Sequence, residues 1–179
     1  MLIKNTENHY GAMAILLHWG MALLIIGLLG EGLYMVNLPI SLQKLKLFGW
    51  HKEYGVLVLI LVCFRLGWRL TNSVPALPIN LPKWQKIAAR MAHWSFYVFM
   101  FAMPITGWLI TSAAGLPVSF FGWITLPDLI VPNTDLRIFF TEIHQWLAYG
   151  LIAVICLHMG AAFKHHFINK DNVLRGMLP

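Results

Sequence analysis

Four of the eight histidines in this 179-residue chain, His18, His51, His144 and His158, stand at informative depths in long apolar runs. An ionisable group there is costly and marks chemistry. Fourteen positions separate His144 from His158, about 3.9 helical turns or roughly 21 Å of rise. The two therefore face nearly the same side of one helix at opposite depths. An imidazole so placed can ligate a metal, relay a proton or bond between helices. Any one of the four alone reads well as an interhelical hydrogen-bonding group. Pairing by depth has one consistent solution, with His158 meeting His18 on one side and His144 meeting His51 on the other. Two imidazoles converging from different helices suit a six-coordinate iron, the axial arrangement of a haem in a helix bundle. Small neighbours that leave room for a flat macrocycle lie near each: Ala14 and Ala22, Gly55, Ala148, and Ala162. Zinc or copper fits less well, because such sites gather three or four ligands at one point. Met13 and Met159 are nearby axial alternatives, but the histidine pairs need no substitute.

The elements that must hold these residues follow from composition. Apolar residues make up 59% of the chain and charged ones 11%, with a mean hydropathy of +0.68. A soluble domain carries about 25% charged residues. Too few polar groups are present to cover a water-soluble globule, and disorder or a nucleic-acid arm is excluded for the same reason, despite a net charge of +6. Cys63 and Cys156 lie in apolar runs and make no disulfide scaffold, and the absence of C-x-x-C-H excludes covalent haem attachment. Four stretches reach the ~20 residues a membrane helix needs. They run over about 12–36, 50–70, 87–112 and 138–163. The first is too long and starts too late for a secretory signal. The expectation is an all-α integral membrane four-helix bundle, a single transmembrane domain over residues 1–179.

Pro75, Pro78 and Pro82 predict an extended connection between spans two and three. The long connection after span three, rich in Gly, Pro and aromatics, predicts a loop at the bundle end. Pro104 and Gly107 predict a kink inside span three. Nine of the 13 Lys and Arg fall on the side of the two termini, namely Lys4, Arg65, Arg69, Lys83, Lys86, Arg90, Lys164, Lys170 and Arg175. Lys44, Lys46, Lys52 and Arg137 fall on the other. Both termini are therefore expected to be cytoplasmic.

The chain resembles the bacterial di-haem cytochrome b561 family over nearly its whole length. The resemblance rests on Leu17-His18-Trp19, His51 with Gly55, Arg65-Leu66-Gly67-Trp68-Arg69 and Ala102-Met103-Pro104-Ile105-Thr106-Gly107. It continues through His144 and His158 to His165-His166-Phe167 and Lys170-Asp171-Asn172. The His144/His158 spacing is also that of cytochrome b subunits of membrane formate dehydrogenases and hydrogenases. The resemblance implies an inner-membrane protein with two bis-histidine b haems that exchanges electrons with ubiquinone or menaquinone. Some similar members oxidise superoxide, as a periplasmic donor, and reduce ubiquinone. Where those members have arginines in the outer loop, this chain has Lys44 and Lys46, in a longer and more apolar loop.

Other residues keep two readings each. Arg65, at the depth of the inner pair, is a partner for a haem propionate or a positive-inside anchor. Arg69 reads as an anchor. His93 and His165 are candidates to hydrogen-bond a quinone headgroup and relay its protons, or plain interface groups. Glu31 is a proton-transfer group near the outer pair or an acid solvated at the interface. Lys44, Lys46 and Lys52 attract an anion or anchor the helix end. The leading function is a quinone oxidoreductase. The alternative is a membrane-anchor electron-conduit subunit of a larger redox complex. A histidine-using transporter is disfavoured, since neither inverted repeats nor paired broken helices are visible.

Overall fold

The computed structural model describes residues 2–7, 9–76 and 81–178. Four long helices dominate it: α1 (Ala12–Val36), α2 (Leu42–Thr71), α3 (Lys83–Ala113) and α4 (Thr134–Phe163). Each is long and apolar enough to cross a membrane. Outward-facing side chains such as Leu23 and Leu157 are 71% and 74% exposed, which suits hydrocarbon as the surrounding solvent. Sequential helices pack against one another, α1 on α2, α2 on α3 and α3 on α4. By contrast, α4 meets α1 and α2 only sparsely. Between them lies a core of Met21, Val62, Tyr97 and Met100.

The helix ends are cut by local chemistry. Ser41 Oγ accepts from the Lys44 amide at 3.2 Å and starts α2. This start lies eight residues before the expected span, so Lys44 and Lys46 stand in the first turns of a helix, not in the outer loop where the resemblance placed them. The amide of Gly115, at φ +67°, bonds Ser112 O, and that of Leu116 bonds Thr111 O, which closes α3 in a Schellman motif. Asn133 caps α4 through Leu136 N and also ties it to Ala113 O. Helix α3 runs unbroken through Pro104.

The connection after α3 is more ordered than a loop. It carries an antiparallel hairpin, β1 (Val118–Phe120) and β2 (Ile124–Leu126), turned at Phe121 and Gly122 with positive φ. Strand β1 packs on α2, where Lys52 Nζ donates to Pro117 O at 3.2 Å and Tyr54 meets Phe121 edge to face. We call this the hairpin end of the bundle. At the opposite, termini end, Asn5 Nδ2 donates to Ser73 O and Asn5 Oδ1 accepts from Gly11 N, both at 2.8 Å. A Cβ at Gly11 would collide with the backbone of Ile3 and Lys4. Residues 73–76 lack helix or strand, as the prolines predict, while Pro78 lies outside the described residues. After α4 the chain widens into a π-helical turn, Lys164–Asn169, reverses at Lys170 (φ 54°) and ends in a short 3-10 turn, Arg175–Met177.

Candidate functional site

Helices α1 and α4 bring His18 to His158 at the termini end, with ring centroids 6.3 Å apart. Helices α2 and α4 bring His51 to His144 at the hairpin end, again at 6.3 Å. Both pairs stand where α4 meets its neighbours sparsely, so each spans a gap between helices. Leu151, 3% exposed, lies midway between the two histidines of α4. Among the described residues no group of three or more His, Cys, Asp or Glu is arranged to hold a metal ion by itself.

The surroundings of the pairs differ. At the hairpin end Thr106 Oγ1 lies 2.9 Å from His144 Nδ1, and a Cβ at Gly107 would stand 3.5 Å from that ring. Gly32 on α1 lies against His51, where a Cβ would approach Cε1 to 3.3 Å. His51 Nδ1 is shielded from solvent and without a hydrogen bond, with Glu31 Oε2 beside it at 3.6 Å. Sequence reasoning singled out neither Gly32 nor the Thr106 hydroxyl; only the rotation of α1 and α3 about their axes turns them to these rings.

At the termini end Arg65 donates to His18 Nδ1 at 3.2 Å and reaches the Tyr97 side chain. Arg69 lies over the Tyr97 ring, 5.9 Å from its centroid. Burial pushes the Tyr10 phenol above its ordinary value, while Arg69 and Arg65 pull it the other way. His93 joins this group, its ring 6.1 Å from that of His158, and Phe96 stands 5.2 Å from the same ring.

His165 takes a different place. It lies in the π-helical turn, its Nδ1 2.5 Å from Asp171 Oδ2 and 3.2 Å from Asn169 Nδ2. Among the described residues, no ring contact or hydrogen bond joins it to His158 or His93. Burial opposes ionisation of Asp171, but hydrogen bonds from His165, the Val173 amide and Asn169 outweigh it and hold the carboxyl below its usual value. Trp19, next to His18, donates to Met177 O at 2.7 Å, so the C-terminal tail docks over this end.

At the hairpin end Lys44 Nζ donates to Val36 O, the last carbonyl of α1, at 3.3 Å and to Leu38 O in the turn after it at 2.7 Å. With Lys52 on Pro117 O, two of the three lysines there tie elements together.

Residues 9–179 match the family model described as prokaryotic cytochrome b561. The chain is 34% identical to "Cytochrome b561 homolog 2" of Escherichia coli (strain K12), covering 99% of this chain and 95% of that protein. It is 29% identical to "Cytochrome b561 homolog 1" of the same organism, covering 96% and 98%. It is 32% identical to "Probable superoxide oxidase CybB" of Yersinia pestis, covering 97% of each. With its four apolar helices and near-complete match to that model, the chain belongs to the prokaryotic cytochrome b561 family of membrane electron-transfer proteins.

Proposed function

We propose that this protein is a two-haem b cytochrome that moves electrons between a one-electron donor at the hairpin end and membrane quinone at the termini end. The observation that carries the reading is the recurrence of one ring spacing, 6.3 Å, in both histidine pairs. A metal–imidazole bond is about 2 Å, so rings facing each other across one metal ion stand about 6 Å apart. Spacing alone also admits His93 opposite His158, at 6.1 Å. Packing argues against it: α3 lies close against α4 and offers no slot for a flat macrocycle, whereas α1 meets α4 sparsely. The residues fit the group.

His18 and His158 would hold one haem and His51 and His144 the other, and haem when bound supplies a one-electron Fe(III)/Fe(II) couple. Thr106 gives His144 an acceptor for Nδ1–H, leaving Nε2 free to ligate. Arg65 can only donate, so its bond requires a bare Nδ1 on His18. A His18 that ligates through Nε2 carries its proton on Nδ1, and Arg65 must then find another acceptor. A propionate carboxylate matches its fork.

Reduction of a quinone takes two electrons and two protons, so its site needs hydrogen-bonding and proton-carrying groups. His93 beside the inner pair and His165 in the turn that follows α4 would supply both. Trp68 Nε1, Gln85 Oε1 and His166 Nδ1 are solvent-shielded without a hydrogen bond, and all three belong to the termini end. A polar headgroup would satisfy such atoms. The basic asymmetry makes this end cytoplasmic, in a bacterial plasma membrane. For the donor, the Yersinia relative's name points to superoxide, an anion that Lys44, Lys46 and Lys52 would attract.

Haem extraction and a reduced-minus-oxidised spectrum test the reading. Two b haems per chain are expected, with His18→Ala and His158→Ala losing the same one, and His51→Ala and His144→Ala the other. About one haem per unmutated chain overturns it. His93→Ala with His165→Ala should keep both haem spectra and slow quinone turnover; unchanged quinone kinetics remove that assignment. A donor rate independent of ionic strength removes electrostatic capture of an anion.

A further inference from the structure

Two of the four paired histidines have a hydrogen-bonded Nδ1, His18 to Arg65 and His144 to Thr106, whereas His51 Nδ1 only faces Glu31. Glu31 is unusual on its own account. It is an acid in the apolar α1, its side chain 18% exposed, and among the described residues its one polar contact is His51. At 3.6 Å the contact is longer than a hydrogen bond, yet too short to hold a water between. His51 Nδ1 has no other acceptor. The next residue, Gly32, lets that ring lie within 3.3 Å of where a Cβ would be. Two adjacent positions of α1 are therefore shaped around one imidazole: a glycine admits the ring and a carboxylate faces its nitrogen.

We propose that Glu31 is the positioning residue of the hairpin-end centre, the acceptor that keeps the His51 proton on Nδ1 and makes its Nε2 a stronger donor to iron. A carboxylate behind a ligating histidine fixes its tautomer and raises its basicity. A more basic axial ligand favours the ferric state, so Glu31 holds this centre at a lower potential than a neutral acceptor would. At the other end the charged group is the cation Arg65, which as the partner of a propionate would favour the ferrous state and raise that centre's potential. The two centres are thereby graded so that electrons move from the hairpin end toward the termini end. This inference rests on the two-haem reading.

Spectroelectrochemical titration of the haem-loaded protein tests it. Glu31→Gln keeps the shape and a weaker acceptor. Haem content should stay at two, while one midpoint rises and the other stays fixed. At a fixed potential the oxidised-to-reduced ratio of that centre should fall up to tenfold, tenfold being ~59 mV for one electron. Glu31→Ala should shift the same centre at least as far, and it should be the one absent from His51→Ala. Glu142→Gln, an equal charge change on an exposed side chain two residues from His144, should shift it much less. Two haems with both midpoints unchanged in Glu31→Gln overturn the Glu31 assignment alone. A single haem per unmutated chain that survives His51→Ala overturns the two-haem reading and Glu31 with it.

Discussion

The Thr106 hydroxyl reaches back to its own helix, 2.8 Å from Ala102 O and 2.9 Å from Met103 O, and so meets His144 Nδ1 with a lone pair. The proton of that bond therefore belongs to the imidazole. Thr106→Val keeps the shape and removes the acceptor. Loss of such a partner costs about 10- to 100-fold in affinity for the bound group. On the two-haem reading, in a transfer assay to a haem-scavenging protein the hairpin-end haem should leave faster by that factor and the other should not; Thr106→Ser should behave as the unmutated chain. The histidines themselves were legible in the sequence, because an imidazole among leucines has few other reasons to be there. Their partners were not. Thr106 lies 38 positions from His144, and Gly32 lies 19 from His51, separations that carry no sign of contact until helix rotation is known.

Helix α3 approaches α4 through Gly150, where a Cβ would stand 2.9 Å from Phe99 Cζ. Gly150→Ala should overpack this interface and cost about 1–3 kcal/mol, read as a lower Tm in detergent. Gly160→Ala, whose Cβ would meet nothing within 4 Å, should hold Tm or raise it slightly through helix propensity. The C-terminal tail depends instead on charge. Because the folded-state pKa of Asp171 lies below its ordinary 3.8, its contribution to docking is full above that value and is lost as pH falls through the lower one. Protection factors of the 171–178 amides, with the intrinsic pH dependence of exchange divided out, should therefore fall in acid, and Asp171→Asn should flatten that dependence. Apolar length was enough to expect four helices. It could not show the hairpin, whose strands have three residues each, or the early start of α2, which a serine cap and lysine-bound carbonyls decide.

The whole molecule is a layered object: a polar cluster at each end and an apolar middle. The asymmetry of lysine and arginine predicts its orientation. With Cys63 and Cys156 replaced, a cysteine at Asn5 or Arg175 should react only with a reagent that enters the cytoplasm, and one at Trp123 with an impermeant reagent from outside. The opposite pattern would reverse the orientation. The middle layer was legible only as hydrophobicity; that Met21, Val62 and Leu151 are buried in it needed the packed helices. Met21 and Val62 are 1% and 0% exposed, and Leu151 is 3% exposed, so apolar side chains close this layer. Electrons tunnel through such a barrier, but ions do not follow. On the proposed function every crossing is an uncompensated displacement of charge, worth about 2.3 kcal/mol per 100 mV of membrane potential. In sealed vesicles the protein should act as a current source, and an imposed voltage should brake or drive its turnover according to sign.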